Sequence, residues 1–205
     1  MIKHGVFAAI LAIGASMGAA NAATVTFGDT PTTVIAVPGA NLITGTVFEN
    51  VIGSIGGLRR SAWQGSSVNE NDAGAFYTSV SRNSSAAYNF ATAQSTVSLL
   101  WGSPDSYNDL DILLVGGGTV TVNGRAAQGP VAILQQFVTI SDIGAFNGLV
   151  FRSSGNAFEF ANLTTTPFSN VTTSAVPLPA GLPLFLTALA GLGLLGRRRS
   201  IAARR

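Results

Sequence analysis

"STVSLLWGSPDSYNDLDILLVGGGTVTV" occupies residues 95–122. Val97, Leu99 and Trp101 recur at every second position, as do Val120 and Val122 between Thr119 and Thr121. Successive side chains of an extended chain point to opposite faces, so each set shares one face of a strand. "GSPDSYN" and "GGG" interrupt the pattern with residues that favour turns for local hydrogen-bonding and steric reasons.

The same texture extends in both directions. "TVTF" (24–27), "TTVIAV" (32–37), "LITGTVF" (42–48), "AFYTSVS" (75–81) and "AAYNFA" (86–91) read as strands, as do "LDILLV" (110–115), "VAILQQFVTI" (131–140), "LVFRS" (149–153) and "AFEFANL" (157–163). "VNG" (122–124) carries a hairpin-turn signal. No stretch of residues 23–175 sustains a helical period. Short strands with Gly, Asn and Ser breaks every eight to twelve residues predict an all-β fold, a single β-sandwich of jelly-roll type. "GSIGG" (53–57) and "GGG" (116–118) read as tight turns, because a phosphate-binding loop needs a following helix and, in a P-loop, a lysine.

Lys3, Arg197, Arg198, Arg199, Arg204 and Arg205 hold 6 of the 11 basic residues, and all lie near the two ends. Residues 23–196 carry 5 arginines against 9 carboxylates, 5 − 9 = −4, and no lysine. Neutralising phosphates takes clustered Lys and Arg, so nucleic acid is not an expected partner. Cysteine is absent, which removes disulfides and thiolate metal sites. The single histidine, His4, lies in the N-terminal segment. Without His, Cys or Lys the body cannot build a Ser–His–Asp or Cys–His nucleophile, a histidine-ligated zinc site or a Schiff base.

The N-terminus, "MIKHGVFAAILAIGASMGAANAATVTF", has a positive start, an apolar run from Gly5 to Gly18, and small residues Ala20 and Ala22 before Ala23. This is the plan of a secretory signal peptide over residues 1–22, cut by signal peptidase between Ala22 and Ala23. At the other end, Leu178 to Gly196 is 19 residues without a charge. As a helix it spans roughly 28 Å, close to the hydrocarbon thickness of a bilayer. Arg197, Arg198 and Arg199 follow it and favour the cytoplasmic side, leaving the body on the far side.

Directly before that run stand Val176, Pro177, Leu178, Pro179, Ala180 and Gly181. Motif, apolar helix and arginine cluster together resemble the C-terminal sorting domains of the PEP-CTERM type, in the VPLPA variant, over residues 176–205. Leu178 stands where the parent pattern has Glu, which the variant accommodates. The resemblance implies processing near the proline motif by an exosortase, a membrane-embedded cysteine transpeptidase. It also implies an inner-membrane intermediate, then the cell surface or the extracellular matrix of a Gram-negative bacterium that makes exopolysaccharide. Over residues 60–165, "GAFYTSVS", "WGSPDSYN" and "NAFEFAN" are similar to a family of exosortase-dependent surface proteins first defined in cyanobacteria, with Ala161 where an acidic residue is expected. That similarity implies a surface β-domain with no assigned activity.

Two chemistries remain open for residues 23–175. Asp105, Asn108, Asp109 and Asp111 fall within seven residues and carry the hard oxygen ligands calcium takes, although the spacing is not that of an EF-hand. The same stretch also reads as a turn. Asp105, Asp109, Asp111, Asp142 and Glu159 are the carboxylates a glycosidase would draw on, and Trp63, Trp101, Tyr77 and Tyr107 could stack on sugar rings or pack in the core. The leading expectation is a non-enzymatic surface or matrix protein without a cofactor. A carbohydrate-binding module and a glycoside-active enzyme stand as alternatives.

Overall fold

The computed structural model describes residues 23–128 and 135–169. The signal segment with Ala20 and Ala22, the motif 176–181, the apolar run and Arg197–Arg199 lie outside them. Among the described residues ten strands form: β1 (Thr24–Gly28), β2 (Leu42–Thr44), β3 (Val47–Val51), β4 (Tyr77–Val80), β5 (Ser84–Gly102), β6 (Asn108–Leu114), β7 (Thr119–Asn123), β8 (Gln135–Ser141), β9 (Phe146–Ser153) and β10 (Phe158–Pro167). The described residues are all-β and contain no helix.

All ten strands join in one open antiparallel sheet, with a main path β3-β4-β10-β5-β9-β6-β7. β5 organises it. The runs 86–91 and 95–101 are one continuous 19-residue strand rather than two. Residues 84–89 lie between β2 and β9, and β9 leads on to β6 and β7. Residues 97–102 lie between β8 and β10, which lead to β1 and to β4 and β3.

These two arms face each other. Phe151 pairs with Ala86, and Phe160 pairs with Trp101. Along a straight strand the fifteen residue steps from Ala86 to Trp101 would span about 50 Å. Yet the Phe151 and Phe160 rings stack with centroids 3.8 Å apart, so the sheet folds back on itself through β5. Burial records the bend. Ser84, Ala86 and Tyr88 are buried in the first half, Val97, Leu99 and Trp101 in the second. Between Asn89 and Gln94 β5 advances five residues while β9 advances two, Gly148 to Phe146. An odd excess of three residues inverts which positions face inward.

The space between the arms is filled by aromatics. Trp101 stacks on Phe158 at 4.4 Å, and Tyr88 meets Phe151 edge-on at 5.5 Å. Val97, Leu99 and Trp101 do share one face and are fully buried in this core; Val122 is buried and Val120 packs against it.

One local expectation fails for a physical reason. Residues 32–37 do not form a strand. Their backbone is served by one side chain: Asn162 Oδ1 accepts from the Ile35 N–H at 2.6 Å, and Asn162 Nδ2 donates to the Thr33 carbonyl at 2.7 Å. Asn162 can do this because it sits in a β10 bulge at φ 49°, a conformation asparagine tolerates. The turn after β6 is made by Gly116, Gly117 and Gly118, all at positive φ, as "GGG" suggests, and "VNG" closes β7 and leads into a turn over residues 124–127.

Candidate functional site

Four segments meet at one end of the sheet: the end of β5 with the loop 103–107, the loop 154–157, the start of β10, and the segment 54–60. They enclose a pocket of about 420 Å³, whose lining includes Arg59, Arg60, Gln64, Asp105, Tyr107 and Glu159. Only Ile55 and Leu58 give it large apolar side chains.

The segment reaches the sheet because of Gly102. A Cβ there would stand 2.8 Å from the Ala62 Cα, so only glycine lets the chain lie this close. Trp63 then anchors the covering layer. It is fully buried with Tyr77, Leu100 and Ala161 on the outer face of the sheet, and its Nε1 donates to the Phe76 carbonyl at 3.1 Å. The Tyr77 hydroxyl donates to the Gly53 carbonyl at 2.7 Å, and burial pushes it up to about 12.

Glu159 lies beneath this layer, 1% exposed. Its backbone is committed to β4 and β5, so its side chain is what reaches the pocket. Oε1 accepts from the Arg60 N–H at 2.9 Å, while Oε2 is buried without a partner. Burial pushes the carboxyl up to about 8; the Arg60 N–H opposes the rise and the Asp105 charge adds to it. At neutral pH the group is therefore mostly the neutral acid, able to donate as well as accept. The Arg60 guanidinium meets Gln64 Oε1 and lies 3.3 Å from Ser103 Oγ. The Arg59 guanidinium sits 5.0 Å over the Phe48 ring, and its Nε is also buried without a partner.

The loops below are locked by Asn108 and Tyr107. Asn108 Nδ2 donates to the Ser103 and Ala157 carbonyls at 3.1 and 3.2 Å, and Asn108 Oδ1 accepts from Ser153 Oγ at 2.7 Å. The Tyr107 hydroxyl stands 2.7 Å from Asp105 Oδ2 and 2.9 Å from the Asn156 carbonyl, donating to one at a time. Burial, then the bond to Asp105, raises its pKa well above the ordinary phenol value.

Comparisons with family models, with curated proteins and with solved structures find no match.

Of the residues considered for calcium, Asp105 lines the pocket, whereas Asn108 is buried and fully engaged in the lock. Asp109 and Asp111 lie on the opposite face of β6 from Asn108, as its period-two alternation requires. There they meet Arg152: Asp111 Oδ2 is 2.6 Å from its Nε, and Asp109 Oδ2 is 3.7 Å from its Nη1. The four residues do not converge, and among the described residues no group of three or more acidic or histidine side chains is arranged to hold a metal. Asp105 and Glu159 share the pocket, while Asp109, Asp111 and Asp142 lie outside its lining. Of the aromatics, Trp63, Trp101 and Tyr77 are fully buried; Tyr107 alone reaches the pocket.

Sequence reasoning missed the covering layer with Arg59 and Arg60. The available signal was "LRRSAW", two charges separated from a tryptophan by Ser61 and Ala62, near a glycine-rich turn.

Proposed function

We propose that the chain is an exported, non-enzymatic surface or extracellular-matrix protein of a Gram-negative bacterium. Signal peptidase frees it between Ala22 and Ala23, and an exosortase-type transpeptidase processes it at Val176–Gly181. The observation that carries this reading is where the sheet starts and stops. β1 begins at Thr24 and β10 ends at Pro167, so both cuts leave all ten strands whole. The facing arms fit a single β-sandwich of jelly-roll type, a self-contained body for a surface domain. A carbohydrate-binding module on stacked aromatics is less well supported, because three of its four candidate rings are core. Polysaccharide remains a partner consistent with the sorting tail.

The test lies in the proline motif. An ordinary anchor needs the apolar run and the arginines only. A transpeptidase must grip an extended segment, and proline favours that conformation at itself and at the residue before it. Pro177→Ala with Pro179→Ala should leave membrane insertion intact and block loss of the tail. Intact-mass measurement in the native host should find wild type without Arg197–Arg205 and the double variant at full length. If wild type keeps those residues and the variant behaves identically, the tail is a plain anchor.

A further inference from the structure

We propose that the pocket over the start of β10 binds a neutral, polyhydroxylated ligand, a terminal sugar unit of a glycan, through hydrogen bonds to the Glu159 side chain and the Arg59–Arg60 segment. This goes beyond export and sorting and does not depend on them.

The carrying observation is the pair of unmet polar atoms. Of the six buried side-chain polar atoms without a partner among the described residues, the two that belong to pocket-lining residues are Arg59 Nε and Oε2 of Glu159, a residue only 1% exposed. Buried polar groups are rarely left unpaired, and each costs stability until a partner arrives. The covering layer holds both in place: the Arg60 N–H fixes Oε1 at 2.9 Å, and Gly102 lets Ala62 press onto the sheet beside them.

Lining chemistry selects the ligand class. A cation would meet Arg59 and Arg60, and an anion would meet Asp105. An apolar molecule would leave both unmet atoms unpaired and find little beyond Ile55 and Leu58 to cover it. A hydroxyl both donates and accepts, so a ring bearing several can serve an arginine N–H and a carboxyl together. The size agrees: about 420 Å³ lies within the roughly 300–1,000 Å³ of small-molecule sites. Recognition here is by hydrogen bonds rather than stacking. The Tyr107 ring is pressed against Gly155, where a Cβ would lie 2.7 Å from ring carbons, and its hydroxyl is taken by Asp105 and Asn156.

Saturation-transfer NMR on the full chain tests this, with glucose, galactose, mannose and N-acetylglucosamine as probes at millimolar concentration and inorganic phosphate as the anionic comparison. At least one neutral sugar should bind and phosphate should not displace it. Glu159→Leu, similar in volume but apolar, should weaken binding by about tenfold or more. Glu159→Gln, which keeps a polar end in place, should stay within about threefold. If Glu159→Leu does not fold, Gln64→Ala combined with Ser103→Ala at the pocket wall should weaken the same sugar. Absence of binding by all four sugars, preferential binding of phosphate, or affinity unchanged by these substitutions would overturn the proposal.

Discussion

β10 has two buried faces built on opposite principles. On the inner face Phe158 and Phe160 are stacked among Trp101, Phe151 and Tyr88. On the outer face Glu159 and Ala161 lie under the segment that Trp63 anchors. The inner face is closed and mostly apolar, although the Tyr88 hydroxyl and Trp101 Nε1 are buried there without a partner. The outer face buries a carboxyl with one oxygen unmet, beside a polar pocket. Unmet polarity costs stability on either face, but of these atoms only the Glu159 oxygen belongs to a residue that lines the pocket. The inner face therefore holds the fold, and the outer face carries the pocket in which the ligand is proposed to bind.

The largest effect should come from breaking the inner face. Phe160 is fully buried and bridges the two arms through Phe151. Phe160→Ala removes that bridge and leaves a cavity between the two arms of the sheet, costing about 3–5 kcal/mol. Urea denaturation should show a lower midpoint for the whole domain. A loss under about 1 kcal/mol would mean that the arms do not depend on each other.

The outer face should respond to pH, with a sign its environment fixes. The Glu159 carboxyl rises from an ordinary 4.5 to about 8 in the fold. Below 4.5 it is protonated folded and unfolded, so its contribution is fully present. Between 4.5 and 8 the unfolded chain releases the proton and the folded one keeps it. Stability then falls as pH rises, by at most about 1.4 kcal/mol per pH unit, and levels off above the folded value. Glu159→Gln cannot titrate and should remove that slope. Denaturation at about pH 5, 7 and 9 checks it, and parallel wild-type and variant curves would place Glu159 in contact with water.

The difference between the faces also explains what was legible in the sequence. Period two at Val97, Leu99 and Trp101 gave the all-β class and the correct inward face, because neighbouring positions alone decide it. The same rule applied to "FEFA" sends Glu159 to water. It is buried because a segment about a hundred residues earlier covers it, and no local pattern encodes that. The merger of two expected strands into β5 was hidden for a related reason. Thr92, Ala93 and Gln94 look like a break, but the chain stays extended there because β9 and β10 pair on either side of the bend. At residues 32–37 the apolar pattern suggested a ladder partner, and Asn162 supplied the hydrogen bonds instead. At the site, Asp105 was recognised as polar and available, whereas its neighbours Asn108, Asp109 and Asp111 were grouped with it by sequence distance. Alternation along β6 sends Asn108 one way and the two aspartates the other.

The smallest effect should come from the outward face of β6, where charge meets charge near water. Arg152 donates from Nε and Nη2 to the two oxygens of Asp111, at 2.6 and 2.9 Å, and Thr121 Oγ1 donates to the same carboxylate at 2.7 Å. Burial pushes the Asp111 carboxyl up, but the hydrogen bonds from Arg152 and Thr121 and the Arg152 charge outweigh it and hold it below its ordinary value. The pair is well oriented, yet the Arg152 side chain is 46% exposed, so water and salt screen much of its attraction. Arg152→Met keeps the side chain's apolar length and deletes the charge. It should cost about 1 kcal/mol or less at neutral pH, with the loss shrinking further at high salt. A lowered folded pKa makes the contribution full above the unfolded aspartate value near 3.9, and it disappears as pH falls through the folded value. Wild type and variant should therefore converge in strong acid. A loss of several kcal/mol that ignores salt would show that Arg152 braces β6 against β9 as part of the fold, and that the outward face is not the simple solvated surface its alternation describes.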